Sequence, residues 1–123
     1  MWKLLNGKLI HMTDESRVKF RTNISKSVIE SLKKLAADND THINYLIESG
    51  LKVVLADGKI TFNKHMRPND RIQYKTTYDK ELLIQLKAFA KNHNLYINDV
   101  IEYSIQHIDI KQSKDMSYRY RLE

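Results

Sequence analysis

The sequence predicts a mainly α-helical fold built on one two-stranded antiparallel β-ribbon, and three observations lead there. The chain repeats itself at an offset of 54 residues. Each copy opens with strict apolar–polar alternation, the period of a half-buried strand. Each then continues with two stretches whose apolar residues fall at helical spacing.

The repeat is seen by sliding the chain along itself. Arg17 to Leu51 lies on Arg71 to Ile105 without a gap, and ten residues are identical: Arg17/Arg71, Thr22/Thr76, Lys26/Lys80, Leu32/Leu86, Lys33/Lys87, Ala36/Ala90, Ile43/Ile97, Asn44/Asn98, Ile47/Ile101 and Glu48/Glu102. Other apolar positions exchange one apolar residue for another, as in Val18/Ile72, Phe20/Tyr74 and Leu46/Val100. Matched hydrophobic patterning on top of the identities marks a duplication.

The elements follow in order. Residues 17–24 and 71–78 alternate, with one apolar face and one polar or cationic face. Ser25 and Asp79 suit the N-cap of a helix, because a short side-chain oxygen can accept an amide that the first turn leaves unpaired. Val28, Ile29, Leu32, Leu35 and Ala36 then line one helical face, as do Leu82, Leu83, Leu86, Phe89 and Ala90. These helices are expected to stop near Asp38-Asn39-Asp40 and Asn92-His93-Asn94, whose side chains favour turns and tolerate left-handed backbone. Second helices follow through Ile43, Leu46, Ile47, Leu51 and Val54, and through Ile97, Val100, Ile101, Ile105 and Ile108.

The expected organisation is an N-terminal arm (1–16), a first unit (17–55), a linker (56–70) with Asp57-Gly58 and the only proline, Pro68, a second unit (71–108) and a C-terminal tail (109–123). Asn6-Gly7-Lys8-Leu9-Ile10 resembles Asp57-Gly58-Lys59-Ile60-Thr61. Both fit either a turn leading into a short strand or a plain loop. The tail, with Tyr118-Arg119-Tyr120-Arg121, reads as a loose tail or an edge strand.

Composition narrows the function classes. The net charge is +6 and the pI about 9.5, which favours polyanionic partners, nucleic acid before membrane. With no cysteine there is no disulfide framework or thiolate chemistry. Met1 to Leu5 is too short for a signal-peptide core, no run is long enough to span a bilayer, and a cytoplasmic, nucleoid-associated protein is expected. His11, His42, His65, His93 and His107 lack ligand spacing, so no metal is expected. No phosphate loop or catalytic spacing is visible, and neither a cofactor nor enzymatic activity is expected.

A lone strand leaves its backbone groups without ladder partners, and one strand with two helices is too small for a stable core. Two copies solve both problems if the strands pair antiparallel and the helices cover the apolar face. The other face then stays open, and a two-stranded ribbon fits the DNA major groove. The alternating strand, the helix start Ser25-Lys26-Ser27-Val28-Ile29-Glu30-Ser31-Leu32, and Ile43-Asn44-Tyr45-Leu46-Ile47-Glu48 opening the second helix resemble the ribbon-helix-helix family of the MetJ and Arc repressors. Members of that family pair as homodimers. The resemblance implies that this chain carries both halves, as a tandem pseudo-dimer.

By position, the resemblance assigns base contacts to Lys19, Arg21 and Asn23 in the first unit and to Gln73, Lys75 and Thr77 in the second. Arg and Lys can donate to guanine O6 and N7, Asn and Gln can pair with adenine, and Thr offers a hydroxyl or a methyl. The triads differ at every position, so unequal half-sites are expected. Arg17 and Arg71, at the ribbon ends, are expected to contact phosphates. The family also holds a phosphate at the start of the second helix, which implicates His42, Ile43 and Asn44, and Tyr96, Ile97 and Asn98. The family's Gly and Ser near this turn are missing here. Lys33, Lys34 and Lys87 read as solvated helix faces.

The function these readings imply is sequence-specific binding of double-stranded DNA by a transcriptional regulator, most simply a repressor. Rival uses of the same fold are an accessory factor in plasmid transfer, partition or phage DNA handling, and an antitoxin-like interaction module. Further self-association on DNA, or a protein partner held by the tail, fits the same fold.

Overall fold

The elements run as two strands, Trp2–Leu5 (β1) and Lys8–His11 (β2); then Arg17–Ser25 (β3), Lys26–Asp38 (α1) and Ile43–Asp57 (α2); then Arg71–Asp79 (β4), Lys80–Asn92 (α3) and Ile97–Ser104 (α4); and a last helix, Ile110–Leu122 (α5). This is a computed structural model describing residues 2–5, 8–11 and 16–122, with side chains described for residues 16–116. Short 3₁₀ turns occupy Lys64–Met66 in the linker and Ile105–His107 after α4.

The two alternating segments pair with each other. β3 and β4 form an antiparallel ribbon with Arg17 opposite Asp79, Arg21 opposite Lys75, and Ser25 opposite Arg71. Because side chains alternate across a strand, the even-numbered residues of both strands share one face. Val18, Phe20, Ile24, Tyr74 and Tyr78 of that face pack on the helices, and Ile24 and Tyr78 are fully buried. Phe20 meets Tyr78 edge to face, with ring centroids 6.0 Å apart.

Helix limits follow the local chemistry. The Ser25 hydroxyl accepts from the Val28 amide, and an Asp79 carboxylate oxygen accepts from the Leu82 amide at 3.0 Å. α1 and α3 end at Asp38 and Asn92, and two residues beyond each end the chain turns through left-handed backbone, at Asp40 (φ 51°) and Asn94 (φ 55°). Aspartate and asparagine tolerate that region better than most residues. Apolar stripes from α1 to α4 meet in one core that includes Leu32, Leu46, Ile47, Leu51, Leu86 and Ile101.

Near the middle of this core α2 and α4 come into backbone contact. A Cβ placed on Gly50 would lie 2.2 Å from the Ser104 carbonyl oxygen. Since backbone rather than a flexible side chain stands in the way, Gly50→Ala must spread the two helices. It is expected to destabilise by about 3 kcal/mol, at the upper end of overpacking costs. Urea denaturation checks this; an unchanged midpoint would mean that the helices do not cross so closely.

Two expectations need correction, and one open alternative is decided. The C-terminal segment, expected as a tail or edge strand, is the helix α5. It is fixed to the body by Thr41 Oγ1 donating to the Ser113 carbonyl at 3.1 Å, and by Ser49 Oγ accepting from the Asp109 amide at 3.0 Å. Its polar sequence hid it: Ile110 packs against the core and Ser113 is fully buried, but the residues around them are mostly polar. The open alternative lies in the linker, which fitted either a turn into a strand or a plain loop. Gly58 ends α2 in left-handed backbone (φ 74°), the conformation glycine adopts at least cost, but no strand follows at Lys59-Ile60-Thr61. In the arm, Lys8–His11 does form a strand, paired with β1, while the Asn6-Gly7 turn lies outside the described residues. As the second correction, the second helix of the second copy ends at Ser104, and Ile105 and Ile108 belong to the 3₁₀ turn and the segment after it. Among the described residues no helix is long and apolar enough to cross a membrane.

Candidate nucleic-acid interface

The face of the ribbon turned away from the helices is the odd-numbered one. Register places its central side chains as three cross-strand pairs: Lys19 with Thr77, Arg21 with Lys75, and Asn23 with Gln73. Lys19, Arg21, Asn23, Gln73 and Lys75 are exposed, and Thr77 is half-buried. All six sequence-assigned base contacts therefore stand on one surface. The five exposed ones make no side-chain hydrogen bond or ion pair among the described residues.

The electrostatics of this surface are one-sided. Three of its six central side chains are cationic and none is acidic. Arg21 and Lys75 face each other directly, and like charges opposite one another in a ribbon are unfavourable. Lys26 and Lys80, both exposed, follow the ribbon ends as the first residues of α1 and α3.

Thr77 differs from its neighbours. Its hydroxyl oxygen accepts from Arg17 Nε and from Asn44 Nδ2, each at 3.3 Å. A hydroxyl has two lone pairs and one proton, so Thr77 has only its O–H and its methyl group left to offer outward.

Arg17 and Arg71, expected at phosphates, are held in ion pairs within the fold. Arg17 Nη2 lies 2.6 Å from Glu48 Oε1, in a pair whose side chains are 8% and 1% exposed. Arg71 Nη2 lies 2.6 Å from Glu102 Oε1 and 2.7 Å from Asp99 Oδ1. The same glutamates hold the ends of the opposite strands: Glu48 accepts the Asp79 amide at 2.9 Å, and Glu102 accepts the Ser25 amide at 2.8 Å. A buried carboxylate must be paired and hydrogen-bonded to be tolerated, and these two use the arginines for that purpose. The signal was present in the sequence, since Arg17/Arg71 and Glu48/Glu102 repeat together with opposite charge and equal spacing.

At the starts of α2 and α4 the two copies diverge. His42 precedes α2 in extended backbone with no side-chain cap. Asn44, in the first turn, reaches across to β4 through Thr77. His42, Ile43 and Asn44 line an open groove together with Lys33 and Thr76. The equivalent groove at α4 is lined by Tyr96, Ile97 and Asn98 with Lys87 and Thr22. Asn98 Oδ1 is buried without a hydrogen-bond partner among the described residues. Lys33 and Lys87, read from sequence as solvated faces, thus stand beside the helix starts; their identity in both copies was the available clue.

At α4 the Tyr96 amide is already taken by the Asp99 carboxylate at 2.9 Å. Asp99 is fully buried, and Arg67 from the linker grips it with Nη2 2.7 Å from Oδ2 while stacking over the Tyr96 ring at 4.4 Å. Burial by itself would raise the Asp99 pKa, but hydrogen bonds from Arg67 and Arg71 outweigh it and hold the group below the usual carboxylate range. In the first copy the corresponding residue is Tyr45, with the Arg17 guanidinium 5.2 Å over its ring.

Among the described residues, no three His, Cys, Asp or Glu side chains gather as a metal site. No protein-family model matches the chain, and neither a curated protein nor a solved structure shows significant similarity to it.

Proposed function

We propose that the chain binds double-stranded DNA in a sequence-dependent way, as a tandem ribbon-helix-helix protein whose two copies fold as one pseudo-dimer. The ribbon enters the major groove, and promoter occupancy makes the chain a transcriptional regulator, most simply a repressor. The observation that carries this reading is the centre of the outward ribbon face, six side chains in register, five of them exposed, three of them cationic and none acidic. A protein gains nothing in stability from Arg21 opposite Lys75. A polyanion laid over the pair turns that repulsion into attraction.

The pseudo-dimer part draws support from the register. Arg21 and Lys75 are equivalent by the 54-residue repeat and also lie opposite each other. A twofold axis through that pair exchanges the copies, and other contacts obey it. Lys26 donates its amide to the Asp70 carbonyl, and Lys80 does the same to Ser16. Gly50 meets Ser104, its own counterpart in the repeat. Phosphate contacts in this reading fall to the groove at α2, where the N-cap residue His42 makes no side-chain cap, and to Lys33 and Lys87.

Binding of labelled mixed-sequence duplexes, followed by anisotropy across a salt series, tests the reading. The logarithm of the association constant should fall linearly with the logarithm of salt, by about 0.9 per phosphate neutralised. Failure to bind any duplex at low salt would defeat it.

A further inference from the structure

We infer that the ribbon reads a polar, non-palindromic site, with an A·T pair under the Asn23/Gln73 end and G·C pairs under the centre and the Lys19/Thr77 end. The inference rests on the DNA-binding reading above and adds what register contributes to it. Sorted by copy, the six outward residues give two triads that each mix cation with amide or hydroxyl. Sorted by register they separate by chemistry. Both carboxamides, Asn23 and Gln73, face each other at one end; both central residues, Arg21 and Lys75, are cations; Lys19 faces Thr77 at the other end.

Each pair has a definite hydrogen-bonding character. A carboxamide both donates and accepts, which matches the N6 donor and N7 acceptor on the major-groove edge of adenine. Arginine and lysine only donate, which matches the two acceptors of guanine. Thr77 would be ambiguous alone, but Arg17 Nε and Asn44 Nδ2 occupy its hydroxyl oxygen as acceptor, so it too can only donate. Lys19 and Thr77 together make a donor-only end. Asn23, the equivalent of Thr77 in the repeat, has no such restraint among the described residues, so its amide keeps both functions.

Spacing sets the register on DNA. Successive outward residues stand two positions apart, about 6.8 Å along a strand. That is on the order of two base-pair steps at roughly 3.4 Å each. The A·T preference therefore belongs about two base pairs to one side of the G·C centre, with no mirror image on the other side.

The experiment is selection from a random duplex pool by the full chain, and separately by Asn23→Ala/Gln73→Ala and by Lys19→Ala. The wild-type consensus should be lopsided, with A·T on one flank only. The double variant should lose roughly tenfold discrimination at that flank and keep the centre and the far flank; Lys19→Ala should relax the far flank alone. These side chains are exposed and have no partner among the described residues, so unchanged circular dichroism is expected for both variants. A palindromic wild-type consensus, or a double variant that keeps its A·T flank, overturns the inference and leaves DNA binding standing. Salt-dependent binding without any enriched sequence overturns the inference and the sequence-dependent part of the function together.

Discussion

Glu48→Ala is expected to be among the most damaging single substitutions in the chain, costing about 3–5 kcal/mol, the range seen when one partner of a buried ion pair is removed. The reason is the number of groups that depend on this carboxylate. The Arg17 guanidinium, almost as buried as Glu48, would lose this carboxylate, and the Asp79 amide would lose its acceptor. Glu48→Gln should cost less, because the carboxamide oxygen can still accept one of these bonds. Thermal unfolding would register the alanine change as a drop of more than about 10 °C for a chain of this size. A loss below about 1 kcal/mol would mean that Arg17 finds solvent or another partner, and that the ribbon end is not clamped as described. For the same reason Arg17→Ala is now expected to destabilise the fold first, and to weaken DNA binding only through it.

The second large effect separates function from stability. Replacing both Arg21 and Lys75 with alanine should lower affinity for a selected duplex roughly a hundredfold or more, taking about 1–3 kcal/mol for each base contact. The sum is approximate, because the two residues are neighbours and their effects can couple. The folded state, relieved of two facing cations, should keep its stability or gain a few tenths of a kcal/mol. Urea denaturation and duplex titration on the same preparation give both quantities. A parallel loss of stability and affinity would make these residues structural, and would leave the outward face without its assigned role.

Much of the fold was legible because it depends on local chemistry and on period. Alternation gave β3 and β4, Ser25 and Asp79 gave the helix starts, and the Asp and Asn clusters gave the left-handed turns at Asp40 and Asn94. The core positions of α1 to α4 followed from helical spacing. What stayed hidden depends on distant partners. Arg17 and Arg71 alternate with apolar neighbours just as Lys19 and Arg21 do. Glu48 and Glu102, 31 residues further along, turn them inward, and Asp99 also holds Arg71. α5 is mostly polar in sequence, so no periodicity announced it. Arg67 sits in a linker of loop-like composition, and nothing nearby in sequence points to Asp99. The outward residues of the ribbon were correctly placed on one face, yet their grouping by chemistry required the register, which one strand's sequence does not contain.

Methylation interference on a selected duplex tests the central claim most directly, because guanine N7 lies on the floor of the major groove and nowhere else. Methyl groups at N7 of the central guanines should abolish binding, while methyl groups at adenine N3, in the minor groove, should leave it unchanged. Binding that tolerates every N7 methyl, or that is blocked from the minor groove alone, would contradict a ribbon seated in the major groove.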